Sequence, residues 1–109
     1  MKREVIQSLL HAPSVPHRYE TRAGEWLTIK LPRVPLTRHT EYLRVEMDAE
    51  GAELQTPDTS LEGSVLPRTI EVRPIAPGEA KVVFRAIDSR TRLPIADVDP
   101  LEITLHVEK

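Results

Sequence analysis

The stretch LEITLHVE, residues 101–108, alternates strictly between apolar and polar side chains, and this pattern decides the fold class. Successive side chains of a β-strand point to opposite faces of its sheet, so the alternation predicts a strand with one face on a core and the other in water. Four further runs alternate in the same way and begin at Leu27, Leu43, Ile70 and Ala80. Two weaker strands are predicted near residues 18–22 and 52–55.

Short strands at near-even spacing, without helices between them, are typical of an all-β protein. We therefore predict an immunoglobulin-like antiparallel β-sandwich of about seven strands with Greek-key connections. All four glycines lie between the predicted strands, and Gly51 ends a stretch, 48–51, that predicts a short hairpin connection. The predicted core consists of the apolar side chains on one face of each strand: Leu27, Ile29, Leu31, Leu43, Val45, Met47, Ile70, Val72, Val82, Phe84, Ile103, Leu105 and Val107.

A chain of 109 residues has room for one hydrophobic core. The sandwich is predicted to span residues 17–109, preceded by an N-terminal segment at residues 1–16. In that segment Val5, Ile6, Leu9 and Leu10 share one helical face before Pro13 interrupts the pattern. A short helix is therefore expected, with an edge strand as the alternative.

The charges are balanced, with 17 acidic and 15 basic residues along the chain. Nucleic acids and anionic membranes require a concentrated basic surface, so neither is expected as a partner.

The N-terminal apolar run is shorter than a signal-peptide core, which predicts a cytoplasmic protein; a mature secreted domain expressed behind a new Met1 is the alternative. The chain has ten prolines and neither Asn nor Cys, a composition that favours a thermophilic origin.

Motifs that carry out catalysis or hold nucleotides are absent from the sequence, so no enzymatic activity and no cofactor are predicted. The four histidines lack the spacing of metal ligands. Asp97 and Asp99, together with Asp48 and Glu50, offer oxygen atoms to a calcium ion, but an Asp before a Pro is also a common turn former. We therefore predict no metal site.

Three apolar side chains lie on the polar side of their strands: Trp26, Val83 and Ile87. Such side chains are either covered by a neighbouring loop or the N-terminal segment, or they form part of a contact surface.

The order of motifs resembles that of the chagasin-like family, small immunoglobulin-like inhibitors of papain-type cysteine proteases. The stretches concerned are GEWLTIKLP (24–32), PDTSLEG (57–63), APGEAKVVFRA (76–86) and LEITLHVE (101–108). The resemblance covers most of the chain from Gly24 onward. It implies an immunoglobulin-like fold in which three loops form a wedge that fills the cleft of a protease.

The resemblance also identifies candidate binding residues in the three loops: Pro35, Leu36, Thr37, Arg38 and His39; Gly63, Ser64 and Val65; and Asp88, Ser89 and Arg90. In the first loop only Pro35 and Thr37 match the family pattern N-P-T-T-G-[YF]. In the second, Gly63 matches, and the third lacks the Pro and Trp of the family's R-P-W. Function depends on such loops rather than on the shared fold.

The leading functional hypothesis is a non-catalytic protein-binding or assembly module that presents its loops, or the outer face of a sheet, to another protein. The alternative is a diverged chagasin-like inhibitor of papain-type proteases. A third hypothesis is an accessory domain that binds calcium or carbohydrate, although one Trp and two Tyr form a small sugar platform. The expected partner is another protein, or a second copy of the chain in a homo-oligomer.

Overall fold

The computed structural model describes residues 3–13, 15–56 and 63–109, which form one short helix and two β-sheets. The elements are α1 (Arg3–Leu10), β1 (Arg18–Arg22), β2 (Leu27–Lys30), β3 (Leu43–Glu50), β4 (Ala52–Gln55), β5 (Thr69–Pro74), β6 (Gly78–Asp88), β7 (Leu93–Pro94) and β8 (Leu101–Glu108). The five main predicted strands and the two weaker ones are all present. The two-residue strand β7 was not predicted from the sequence.

Sheet A has the strand order β1-β8-β6-β3, with β7 also paired to β6, and sheet B has the order β2-β5-β4. The chain passes from one sheet to the other four times: between β1 and β2, between β2 and β3, between β3 and β4, and between β5 and β6. The predicted all-β sandwich of immunoglobulin-like architecture is confirmed. Most pairings are antiparallel, but β1 runs parallel to β8, with Arg18 opposite Thr104 and Arg22 opposite Glu108. The parallel pairing is accessible because β1 leads into sheet B rather than into a hairpin with its neighbour.

The connection at Gly51 differs from the predicted hairpin. Strand β3 continues to Glu50, and β4 begins at Ala52 in the opposite sheet, so the chain turns a corner instead of folding back. Gly51 has a φ of 72°, and its carbonyl accepts a hydrogen bond of 3.0 Å from the N–H of Ile75. The prediction was wrong because a glycine with positive φ permits either kind of turn, and the alternating pattern does not state which sheet the next strand joins.

The core lies between the two sheets. Nine predicted core residues are buried, among them Ile29, Phe84 and Ile103, each with no exposed area. Leu27, Leu31, Val45 and Met47 are only partly buried but pack against the core. Val45 and Met47 lie on β3, at the edge of sheet A. The alternating runs did not predict several further buried side chains, which come from the helix and the loops: Ile6, Leu10, Val15, Val34 and Leu66.

The N-terminal segment forms the helix of the two predicted alternatives. Ile6 and Leu10 are 1% and 2% exposed and belong to the same hydrophobic cluster as the strands. Polar contacts hold the helix against the segment before β8: the N–H of Asp99 donates to Gln7 at 2.7 Å, and Arg3 pairs with Asp97 at 3.0 Å. Within the described residues, no helix has the length and apolar character needed to cross a membrane.

Val83 and Ile87 face outward from sheet A as predicted, yet both are buried, at 4% and 7% exposure. Both lie on β6, where Val83 has β3 and β8 as neighbours and Ile87 has β3 and β7. Val83 lies between Asp48 and Glu102 in register, and the Arg85–Asp48 ion pair of 2.8 Å crosses the same face. A central position among longer charged side chains therefore accounts for the burial of Val83.

Candidate functional site

The three loops predicted to carry binding residues meet at one end of the sandwich. The first loop, residues 31–42, joins β2 to β3, and it pairs with the second loop, residues 63–68, through a bridge between Pro35 and Ser64. The N–H of Leu36 donates to the Gly63 carbonyl at 3.0 Å, and the N–H of Val65 donates to the Val34 carbonyl at 2.7 Å. These hydrogen bonds hold the two loops side by side.

The third loop, residues 89–92, joins β6 to β7 and contacts the end of the first loop. The N–H of Ser89 donates to the Tyr42 carbonyl at 2.8 Å. The guanidinium of Arg90 lies 4.1 Å from the centre of the Tyr42 ring, which is a cation–π distance. Arg90 also pairs with Asp88 at 3.0 Å, and its hydrogen bond lowers the pKa of the Asp88 carboxyl.

Thr40 fixes the shape of the first loop. Its side chain is fully buried, and its hydroxyl donates to the Pro35 carbonyl at 2.7 Å while accepting from the N–H of Thr37 at 2.9 Å. In the second loop the Ser64 hydroxyl accepts from the N–H of Val34 at 3.2 Å. Thr40 is not among the binding residues predicted from the sequence, although two hydroxyl residues three positions apart in a loop are a recognised signal of such turns.

A cleft of about 760 Å³ opens between these loops and the first half of β3. Its apolar lining consists of Leu36, Leu43, Val45, Val65 and Ile87. Its polar and charged lining consists of Thr40, Glu41, Arg44, Glu46, Ser64, Ser89 and Arg92.

Four of the predicted binding residues line the cleft, namely Leu36, Ser64, Val65 and Ser89. The remaining ones lie in the same loops but outside the lining: Pro35, Thr37, Arg38, His39, Gly63, Asp88 and Arg90. The largest contribution that sequence reasoning missed comes from β3, at residues 43–46. Nothing in their alternation distinguishes an edge strand from a central one, so the sequence carried no signal for this part of the site.

The backbone of β3 is available along the cleft. Among the described residues β3 pairs with β6 alone, so its other edge has no neighbouring strand. The N–H of Ser89 donates to the Tyr42 carbonyl, and hydrogen-bonding positions alternate along an antiparallel ladder. The N–H and C=O groups of Val45 and Met47 therefore face away from β6. Leu43 agrees with this alternation, because its N–H turns away from β6 and donates to the Thr40 carbonyl at 3.0 Å.

Exposed apolar side chains gather at the same end of the molecule. Leu36, Tyr42 and Leu93 are 58%, 36% and 63% exposed. Trp26 and Ile75 are exposed at the opposite end, where the Arg73 guanidinium lies 4.8 Å from the centre of the Trp26 ring. Trp26 precedes β2 and is not covered, so the hypothesis of a covering loop does not apply to it.

The part of the chain that the structure describes contains no group of three His, Asp or Glu side chains close enough to hold a metal ion. The carboxylates considered for calcium have other contacts: Asp97 pairs with Arg3, and Asp48 pairs with Arg85. Asp99 uses its backbone N–H and carbonyl to bind Gln7 and His11 of the N-terminal segment.

Comparison with known proteins adds little to this description. No protein-family model matches the sequence, and no curated protein matches it. Among solved structures, the crystal structure of chicken VE-cadherin EC1-2 is similar over 86% of this chain and 46% of that chain, with 12% sequence identity and a TM-score of 0.44. This likeness is too low to support an argument, and the fold assignment depends on the strands and their pairing.

Proposed function

We propose that the chain is a non-catalytic protein-binding or assembly module that takes a segment of its partner into the cleft between the three loops. The observation that carries the proposal is the combination of this cleft with exposed apolar side chains around it, above all Leu36. Apolar and aromatic side chains at the centre of an interface contribute most of its binding energy. Leu36 both lines the cleft and is more than half exposed.

The chemistry of the lining supports binding rather than catalysis. Among the described residues that line the cleft there is no histidine, lysine or cysteine, so the lining offers no imidazole base and no thiol or amine nucleophile. The available groups are hydroxyls, backbone amides, two arginines and two glutamates on an apolar floor. These groups are suited to hydrogen bonding and to charge recognition of a peptide.

A matched pair of surface substitutions tests the proposal. Leu36→Arg introduces a charge at the cleft, and Ile75→Arg introduces the same charge at the other end of the sandwich, on a side chain that is 68% exposed. A photo-crosslinking amino acid placed at each position in turn, in an extract of the source organism, followed by mass spectrometry, identifies what each end contacts. We expect a specific protein adduct from position 36 and none from position 75.

The substitutions complete the test. Capture of that partner should fall at least about tenfold in Leu36→Arg, because a charge would be buried in an apolar contact, and should be unchanged in Ile75→Arg. Equal capture by the two variants, or adducts from position 75 only, would contradict the proposal.

Inhibition of papain-type proteases is a second candidate, supported by one observation. The three loops that the family resemblance singles out lie next to one another at one end of the fold. A wedge inhibitor requires this arrangement, since all three loops must enter the protease cleft together.

A further inference from the structure

We infer that the partner in the cleft is a second copy of this chain, added antiparallel to the free edge of β3 so that Val45 of the two copies lies on a two-fold axis. The inference rests on the proposed function and names its partner. It follows from the backbone of β3, whose outer edge is unpaired among residues 3–13, 15–56 and 63–109, from the position of the cleft and from the order of side chains along residues 43–47.

The outer edge of β3, which is unpaired among the described residues, can accept another strand. Val45 and Met47 direct their N–H and C=O groups away from β6, and an exposed row of such groups is a template for strand addition. Native edge strands are often protected by proline, by a bulge or by very short length. Residues 43–50 contain no proline and pair with β6 without interruption.

The cleft provides the space. It follows four consecutive residues of β3, and its lining includes residues from both faces of the strand: Leu43 and Val45 from the inner face, Arg44 and Glu46 from the outer face. A pocket lined from both faces of a strand lies along the edge of that strand. The volume of about 760 Å³ is within the range that holds a drug-sized ligand, comparable to a short extended peptide.

The order of side chains makes residues 43–47, LRVEM, complementary to themselves when two copies run antiparallel about Val45. On the outer face Arg44 of each copy lies opposite Glu46 of the other, which forms an attractive pair on each side of the axis. On the inner face Leu43 lies opposite the second copy's Met47, and the Val45 side chains face each other. Apolar side chains thus meet apolar ones, and opposite charges meet directly across the strands.

The backbone geometry fits the same register. Val45 exchanges both of its backbone hydrogen bonds with Val45 of the second copy. The N–H of Met47 donates to the Leu43 carbonyl of the other copy. The N–H of Leu43 is already bonded to Thr40, so the Leu43–Met47 pair on each side of the axis makes one hydrogen bond instead of two. Sheet A would then continue across two molecules, with the same surface used twice, as in most symmetric dimers.

Other registers are disfavoured by charge. Moving the axis to Glu46 places the two Glu46 side chains opposite each other, and moving it to Met47 places Glu46 opposite Asp48. Like charges directly across an antiparallel pair are destabilising. The short interface implies a dimer with a dissociation constant on the order of micromolar or weaker.

Charge reversal provides the test, measured by sedimentation equilibrium over a range of concentrations. Arg44→Glu and Glu46→Arg each replace two attractive pairs with two repulsive ones, so each should weaken the dimer at least about tenfold. An equimolar mixture of the two variants should associate again, because every pair across the axis becomes attractive. The double variant Arg44→Glu/Glu46→Arg should also dimerise. Glu102→Arg, on the same face but on β8, is the matched control and should behave as wild type.

Hydrogen exchange locates the interface independently of charge. On raising the protein concentration, the amides of Val45 and Met47 should become protected, while those of Arg44 and Glu46, already bonded to β6, should change little. Three results would overturn the inference. The first is a protein that stays monomeric at millimolar concentration, and the second is a dimer whose dissociation constant is unchanged by either charge reversal. The third is protection of the Val45 and Met47 amides already in the monomer. Capture of a different protein through Leu36 by a monomeric chain would overturn this inference and leave the proposed function in place.

Discussion

Thr40 is the buried polar side chain on which the candidate site depends. Its hydroxyl joins Pro35 to Thr37 and so closes the turn that forms one wall of the cleft. A buried hydroxyl with both a donor and an acceptor role makes the loop conformation specific, because removal of the hydroxyl leaves two backbone groups without their partner.

Thr40→Val tests this role, since valine keeps the shape of threonine and lacks the hydroxyl. We expect the free energy of unfolding to fall by about 1–3 kcal/mol, the cost of leaving buried polar groups unsatisfied. Thr40→Ser keeps the hydroxyl and removes one methyl group, at a cost of about 1 kcal/mol. Urea denaturation of the three proteins gives the comparison. A larger loss in the serine variant than in the valine variant would mean that packing, and not hydrogen bonding, stabilises the loop.

Asp88 and Arg90 make the third loop sensitive to pH. The hydrogen bond from Arg90 lowers the pKa of the Asp88 carboxyl below its ordinary value. A carboxyl with a lowered pKa in the folded state stabilises the fold above its unfolded pKa, and this contribution is lost as the pH falls through the folded pKa.

Arg90→Gln should therefore raise the pKa of Asp88 toward its ordinary value, as followed by the carboxyl carbon shift in an NMR titration. The difference in stability between wild type and variant should be present at neutral pH and vanish in acid, where Asp88 is protonated in both proteins. An unchanged Asp88 titration in the variant would show that Arg90 is not the cause of the lowered pKa.

At the scale of elements, helix α1 is a part of the core rather than an appendage. Ile6 and Leu10 are almost completely buried against the strands, whereas Ser8 on the same helix is exposed. Contacts from Arg3 and Gln7 to the segment before β8 fix the helix in its position.

Leu10→Ala should accordingly reduce the free energy of unfolding by about 2–5 kcal/mol, the usual cost of a large cavity in a core. Ser8→Ala changes the exposed face of the same helix and should leave the stability within about 0.5 kcal/mol of wild type. Thermal or urea unfolding measures both. Similar stabilities of the two variants would indicate that the helix contributes little to the core.

Alternating side chains were sufficient to predict the five main strands, because each of them has one face in the core; both residues of β7 are exposed, and β7 was not predicted. LEITLHVE shows this best, with its apolar residues buried and its polar ones mostly exposed. The same pattern could not predict which strands lie at an edge, since Val45 and Val82 alternate alike but only Val82 is fully buried on the central strand β6. The sequence therefore could not predict the part of the cleft that lies along β3. The loops that border the cleft were named as candidates through the family resemblance, and their role in binding stays a prediction.

At the scale of the whole molecule, the loops that the family resemblance singles out border a concave surface. Pro35 and Ser64 pair with each other, and Leu36, Ser64 and Val65 line a concavity. A wedge inhibitor needs projecting loops that fill a protease cleft.

We therefore expect papain to be inhibited only weakly, with an inhibition constant above the micromolar range. The third loop lacks an aromatic anchor, and loss of such an anchor typically costs about 2–4 kcal/mol of binding. Titration of papain with a fluorogenic substrate measures the constant. Nanomolar inhibition that disappears in the Thr37→Ala/Ser64→Ala variant would instead favour the inhibitor function.

The parallel pairing of β1 with β8 has a mechanical consequence. Tension applied between the N-terminal end of β1 and the C-terminal end of β8 pulls two parallel strands in opposite directions along their length. All the hydrogen bonds between Arg18–Arg22 and their partners then carry the load together, in shear, whereas an antiparallel hairpin pulled at its open end would unzip bond by bond. This pair of strands therefore resists stretching between these two points more strongly than an antiparallel hairpin of the same length would.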